Sequence, residues 1–385
     1  MPDPRPAIEI LRRLVGRDTT SARSNLLLIE DVADYLDGHG IKVRLSGTDT
    51  SVKANLFATI GPEQPGGIVL SGHSDVVPVA GQPWTDDPFR LTERDGRLYG
   101  RGATDMKGFI ACALALVPQL ARLRLKQPVH LAFSYDEEVG CVGVRSLIAL
   151  IGNELPRPRL AIIGEPTEMR VVNAHKGISS QTTTVTGRDG HSSRPHAGVN
   201  AVAYAAEIIA FLNRLAEEYG RPGSDPRFDP PGTSFNVGII GGGSAVNIIA
   251  RECQFRWEFR PAPGVDPREI LERLDAFVAA DILPRMRAVD PAAGVVTTVN
   301  AAAPTLVPLP GSAAEELALQ VSGTNACHAV SYVCEAGLFA EAGIPAVVCG
   351  PGSIAQAHQP DEYVAVSQIE ACTGFLSKLV RRLAA

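Results

Sequence analysis

Ile68-Val69-Leu70-Ser71-Gly72-His73-Ser74-Asp75-Val76-Val77-Pro78 is the stretch from which the rest of the chain is read. An apolar run of strand-forming residues follows Gly67, ends in a polar His-x-Asp and is closed by Pro78. A strand apolar on both faces belongs inside an α/β sheet, and ligands gather where such strands end. His73 and Asp75 are two apart, so on an extended chain their side chains project from the same face. A metal-ligating imidazole beside a carboxylate that fixes its tautomer suits that placement. A histidine that caps a strand end, with Asp75 in the following turn, suits it as well.

The chain has 385 residues, more than one ordinary core accommodates, so two domains are expected. Hydrophobic residues make up 45% and charged residues 20%, the profile of a globular protein that works in water. A net charge of −6 and the lack of an Arg- or Lys-rich stripe exclude a nucleic-acid partner. The apolar helical run Phe109–Val117 stops at Pro118, far too short to span a bilayer, so no membrane partner is expected. Met1–Pro6 lacks the charged-then-apolar build of a signal peptide. Seven cysteines form no C-x-x-C pair and lie mostly among apolar neighbours, as free thiols do. The expected compartment is the cytoplasm.

Outward from Ile68–Pro78, strands and helices alternate. Helical spacing covers Ala7–Val15, Asn25–Leu36, Lys107–Leu125 (interrupted at Pro118) and Val142–Ile151. Strands are expected at Lys42–Leu45, Asn55–Ile60, Val129–Tyr135 and Leu160–Ile163, with a loop from Val79 to Arg101. This alternation predicts an α/β domain with a large, mostly parallel sheet. The rhythm changes near Gly177: strand Ser180–Thr186, helix Asn200–Arg214, strands Ser234–Ile240 and Glu252–Arg260, helix Asp266–Ala279 and strand Gly294–Val299. That βαββαβ order is the ferredoxin-like unit. From Gly311 the βα rhythm returns, with strands at Ala329–Val333 and Ala346–Cys349 and a last helix at Ser367–Leu383. The expected division is a discontinuous domain of residues 1–177 and 303–385, interrupted by an inserted domain of 178–302.

Polar residues cluster where strands of the larger domain end: His73, Asp75, Asp105, Glu137, Glu138, Glu165 and His358. Imidazoles and carboxylates arriving together suit borderline or hard divalent metals rather than soft thiolate sites. A carboxylate can bridge two cations about 3.5–4 Å apart. Glu137 and Glu138 are adjacent and point opposite ways if extended, so one can bind metal while the other stays free as a base. No G-K-[ST] follows the glycines around Asp105, and there is no G-x-S-x-G elbow.

Ser71–Pro78, Gly100–Gly108, Asp136-Glu137-Glu138, Gly164–Thr167, Gly190–Ser193 and Ala357–Tyr363 occur in one order. Together they resemble the signature of the acetylornithine deacetylase/succinyl-diaminopimelate desuccinylase family of di-zinc amidohydrolases and peptidases. The motifs span most of the chain. The resemblance implies a zinc-hydrolase domain with an inserted dimerisation or lid domain, and two Zn2+ per subunit, with Co2+ as a possible substitute. His73 and Glu165 would hold one metal, Glu138 and His358 the other, and Asp105 would bridge both. Glu137 would be the general base, and Asp75 would orient His73. His191 would stabilise the developing oxyanion from the other subunit of a homodimer.

Three substrate-binding residues are expected beside these. Arg260, at a strand end, would take an α-carboxylate. Asn247, after the Gly241–Gly243 turn, would hydrogen-bond the substrate. Glu335 would face a distal ammonium, or else cap the helix from Ala336 to Ala342. Pro351–His358, Ser331–Ala336 and Val172–Gly177 resemble the branch that deacetylates N2-acetyl-L-ornithine. Desuccinylation or another N-acyl-amino-acid hydrolysis is the alternative. A homologue that only binds metal or an amino acid is the third possibility, and the presence of Glu137 beside all five ligands speaks against it.

Overall fold

The computed structural model describes residues 3–221 and 225–384. They form two compact units. The first runs to Ala174 and takes in Leu306–Ala329 and everything from Cys334 on; the second comprises His175–Thr305 and Val330–Val333. The last segment, expected in the larger domain, is tied within the second unit. The Val330 carbonyl accepts from the Lys176 amide at 3.3 Å, and Ser331 Oγ donates to the Asp229 carbonyl at 2.7 Å.

In the first unit one sheet runs Val43–Ser46, Asn55–Ile60, Val129–Ser134, Ile68–His73, Leu160–Pro166, Ala346–Gly350, with Val172–His175 and His328–Val330 beyond. The four strands from Val129–Ser134 to Ala346–Gly350 are parallel to one another, and the next strand on each side is antiparallel. Every residue of those four is buried, which explains their unbroken apolar runs.

The helix Lys107–Ala115 is apolar nearly all round and buried from Lys107 through Leu114, as a core helix must be. It approaches the sheet at Gly164, where a β-carbon would lie 1.9 Å from Phe109 Cγ. Only glycine permits that contact. It sits one residue before Glu165, and the helix begins two residues after Asp105, so core packing sets how these two carboxylates face each other. The helix ends at Ala115 rather than near Leu125, and Val117–Leu120 forms a separate short turn. Pro118 has no amide hydrogen to continue the ladder. The expected loop Val79–Arg101 contains strands Thr92–Arg94 and Arg97–Tyr99, which join Tyr363–Ala365 in a small antiparallel sheet.

The second unit has strands Ile178–Thr186, Ser234–Gly242, Glu252–Arg260 and Gly294–Ala303 and helices Ala201–Tyr219 and Pro267–Phe277, in the order βαββαβ. All strand pairs are antiparallel, and the first and last strands lie side by side, with Ile178 opposite Ala303. Cys253, Phe255, Trp257 and Phe259 alternate inward against Ile208, Leu212, Ile270 and Leu274. Asp266 caps its helix as expected, accepting from the Arg268 amide at 2.9 Å, a contact worth about 1 kcal/mol. Among the described residues no helix is long and apolar enough to cross a membrane.

Candidate metal centre

His73 ends the strand Ile68–His73, Glu165 lies near the end of Leu160–Pro166, and Glu137 and Glu138 follow Val129–Ser134. These are neighbouring parallel strands, and the residues collect at their carboxyl ends. Asp105 comes from the loop before the helix Lys107–Ala115, and His358 from the loop after Ala346–Gly350. Asp105 presents its two oxygens to two imidazoles: Oδ1 is 3.0 Å from His73 Nε2, and Oδ2 is 3.3 Å from His358 Nε2. His73 Nε2 also lies 3.6 Å from Glu165 Oε1, and His358 Nε2 lies 3.1 Å from Glu138 Oε2. His73, Glu137 and Glu165 form one group able to share an ion; His73, Asp105 and Glu138 form another. The His73 side chain is 1% exposed and that of His358 50%, so the cluster runs from the sheet floor to the surface of the unit.

Burial first, and the closeness of the carboxylates second, shift protonation across the cluster. Burial, then the Asp105 charge, pushes Glu165 well above the ordinary carboxylate range. Glu138 is pushed up to about 7 by the same two causes. Burial raises Glu137 strongly, with Glu138, Asp105 and Asp75 adding to it against His73. Burial opposes charge on His73, but the Glu165 charge, the hydrogen bond to Asp105 and the nearby Asp75 carboxylate outweigh it and hold its pKa well above the usual value. Hydrogen bonds to Asp105 and Glu138 take His358 up to about 10.

A divalent cation fits this donor set. Each imidazole Nε2 faces only carboxylate oxygens, so a positive charge must sit on it or beside it. Glu165 Oε1 is buried with no hydrogen-bond donor among the described residues. Such an atom is costly unless a cation satisfies it.

Asp75 does more than the sequence suggested. His73 Nδ1 lies 2.9 Å from the Asp75 backbone carbonyl, which can only accept, so Nδ1 carries a proton and Nε2 is turned to the cluster. The carboxylate is farther from that nitrogen, at 3.6 Å. Its oxygens instead accept from Ser21 Oγ at 2.7 Å and from the amides of Glu137 at 3.1 Å and Glu138 at 3.3 Å. The Glu137-Glu138 pair is thus pinned by its backbone. Lys53 supports the same turn, with Nζ 2.5 Å from Asp136 Oδ1. Neither Ser21 nor Lys53 carries a sequence signal, because each acts across the fold on a strand end.

Glu335, expected to face a distal ammonium or to cap a helix, lies within the sheet of the first unit. Glu335 is 1% exposed, and its carboxylate accepts from Ser71 Oγ at 3.0 Å and from Ser134 Oγ. Its carboxylate is thus buried in the sheet and bonded to two of its strands. Its side chain does not cap the helix Ala336–Glu341.

His191, Asn247 and Arg260 belong to the second unit. His191 and Asn247 come together there: the Ser192 amide donates to the Asn247 carbonyl at 3.1 Å, and His191 bridges to Ile248. His191 is exposed, and its Nδ1 accepts from the Ser193 amide at 3.1 Å. Arg260 is half-buried, with Nε donating to Glu258 Oε1 at 3.0 Å.

A buried imidazole–carboxylate cluster at the ends of parallel strands, with a ferredoxin-like insertion, defines a metal-dependent hydrolase. The chain belongs to the peptidase family M20/M25/M40, whose sequence pattern matches residues 69–382. It is 39% identical over 389 residues to the acetylornithine deacetylase of Myxococcus xanthus, covering 99% of this chain and 98% of that protein. It is 36% identical over 365 residues to the acetylornithine deacetylase of Pasteurella multocida, covering 93% and 91%. Among solved structures, an M20 family metallo-carboxypeptidase from Sulfolobus solfataricus superimposes with a TM-score of 0.76 at 20% identity, covering 97% of this chain and 98% of that one.

Proposed function

We propose that this protein hydrolyses N2-acetyl-L-ornithine to L-ornithine and acetate, a step of arginine biosynthesis, in the cytoplasm. Among the described residues no disulfide joins the seven cysteines, which suits a reducing compartment. The observation that carries the reaction is Asp105, whose two oxygens face His73 and His358 while Glu165 Oε1 has no donor among the described residues. His73 and Glu165 would hold one cation, Glu138 and His358 a second, with Asp105 between them. Two Zn2+ ions suit these donors, with Co2+ as a substitute, and would supply Lewis acidity towards water and the amide carbonyl.

The chain's own residues do the rest. Glu137 takes a proton from the attacking water and returns it to the leaving amine, so that water and amide become carboxylate and ammonium. Burial is the main cause of its raised proton affinity. Cys141 Sγ donates to Glu137 Oε1 at 3.3 Å and restrains the carboxylate. Arg260 and Asn247 bind the substrate, and His191 stabilises the oxyanion from the partner subunit. The second unit serves as lid and as homodimer interface. In support of the interface, Ile239, Ile240 and Val296 on its outer strands are 59%, 53% and 63% exposed.

The test is Glu137→Gln beside Glu138→Gln, assayed for free amine on a panel of N-acetyl-, N-succinyl- and other N-acyl-amino acids with metal content measured. Glu137→Gln should retain metal and lose at least ~10²-fold in turnover. Glu138→Gln should lose metal first. Metal loss on Glu137→Gln would make Glu137 a ligand, in line with its place beside His73 and Glu165. Faster hydrolysis of a succinyl or other acyl substrate by the native protein would overturn the substrate assignment.

A further inference from the structure

The backbone that carries Asp105 is wrapped around a side chain with no role so far. Glu362 is 1% exposed. Its Oε2 accepts from the Gly102 amide at 3.0 Å and from Arg101 Nη1 at 2.7 Å. Its Oε1 accepts from the amides of Thr104 at 2.9 Å and Asp105 at 3.1 Å. Those four donors use all the lone-pair sites a carboxylate offers.

The connection continues towards the other end of the cluster. Arg101, also 1% exposed, donates through Nη2 to Gln82 Oε1 at 2.5 Å and lies 5.0 Å from the centre of the Trp84 ring. Gln82 Nε2 in turn donates to the His358 carbonyl at 2.9 Å. A continuous path therefore joins the amide of Asp105 to the carbonyl of His358 through Glu362, Arg101 and Gln82. Residues next to the path are tied down too: Asp361 accepts from the Thr85 amide at 2.9 Å. His358 and Asp361 have φ of 61° and 54°, a region that non-glycine residues enter sparsely and keep only where the surroundings impose it.

A buried ion pair such as Arg101–Glu362 adds little net stability compared with apolar residues of the same volume. Its consequence here lies in the backbone it holds. We propose that Glu362 is a positioning residue for the metal centre. It fixes the backbone of Asp105 directly and that of His358 through Arg101 and Gln82, so that Asp105 Oδ2 and His358 Nε2 meet at 3.3 Å. The inference rests on the two-cation reading above. It adds that the loops bearing two of the ligands are set by one carboxylate that touches neither ion.

Metal-stripped native protein, Glu362→Gln and Gln82→Met are titrated with Zn2+ by calorimetry. The visible spectra of their Co2+-loaded forms are recorded, and the metal-free forms are unfolded in urea. In Glu362→Gln the amide nitrogen must face N–H donors that the carboxylate accepted. Affinity for one of the two cations should fall about 10–100-fold, the usual effect of removing a group that supports a ligand, with an altered Co2+ spectrum. Gln82→Met leaves the ion pair intact, so it should weaken the same cation about tenfold while lowering the urea midpoint less than Glu362→Gln does. Native affinity and a native Co2+ spectrum in a folded Glu362→Gln would reduce Glu362 to a fold-supporting residue. If Glu362→Gln does not fold, native affinity in Gln82→Met overturns the proposal alone. Failure of the native protein to bind any cation overturns the two-cation reading and this inference with it.

Discussion

Replacing Asp75 with asparagine tests how the Glu137-Glu138 pair is held. The carboxylate accepts from Ser21 Oγ and the Glu138 amide at Oδ2, and from the Glu137 amide at Oδ1. An asparagine can keep its oxygen where Oδ2 was, retaining two of these bonds without the charge. Each should weaken by about 1 kcal/mol, the difference between a charge-assisted and a neutral hydrogen bond. The amide nitrogen then faces the Glu137 N–H, leaving a buried donor unsatisfied at a cost of about 1–3 kcal/mol. The sum is about 3–5 kcal/mol. Urea unfolding of the metal-free native and Asp75→Asn proteins measures it, and a Zn2+ titration should show the accompanying loss of affinity. Ser21→Ala alone and combined with Asp75→Asn completes a double-mutant cycle, in which a coupling of about 0.5–3 kcal/mol is expected. A loss under about 1 kcal/mol with unchanged metal binding would show that the two amides do not depend on Asp75.

Three further outcomes are expected. Glu335→Gln should cost about 1–3 kcal/mol of stability and lower kcat/KM on acetylornithine and on acetylmethionine by the same factor; a selective loss on acetylornithine would instead assign Glu335 the ammonium contact. His130 is held neutral by burial, its pKa lowered to about 4 from 6.5, so the unfolded chain takes up a proton first as pH falls. Its contribution is whole above pH 6.5 and declines towards pH 4, by about 2 kcal/mol between pH 7 and 5. In His130→Gln the urea midpoint should fall less over that interval, and an equal fall would contradict the assignment. Mixing His191→Ala subunits with Glu137→Ala subunits should recover deacetylation in the heterodimer, and an inactive proven heterodimer would place His191 in its own subunit's site or outside catalysis.

The parallel strands were legible because burial on both faces forces unbroken apolar runs, and the cluster was legible because its residues sit where those runs stop. Glu252–Arg260 was plain for the opposite reason, since one buried face imposes strict alternation. The helix after Lys107 was overextended because apolar residues recur at helical spacing beyond Pro118, at Leu120 and Leu125, although residues 121–124 between them are exposed. Strands of three residues, such as Thr92–Arg94, are too short to show a period. The hydroxyl partners of Glu335 were not legible because they stand 264 and 201 residues away. Glu362 lay inside a recognised motif, yet most of its partners are backbone amides, which every residue type but proline offers alike.

The antiparallel contact between Ile178 and Ala303 has a consequence for how the protein is made. The second unit begins and ends on paired neighbouring strands, so once folded it returns the chain beside its point of departure. Gly350 must meet Thr167, 183 residues earlier, before the central sheet is complete. Closing so long an unfolded segment is slow. A second unit that folds on emerging from the ribosome reduces that closure to a short link. Until then the strand Leu160–Pro166 offers an open apolar edge to other nascent chains. Substitutions that slow folding of the second unit should therefore lower the yield of soluble protein even where the finished enzyme is as active as the original.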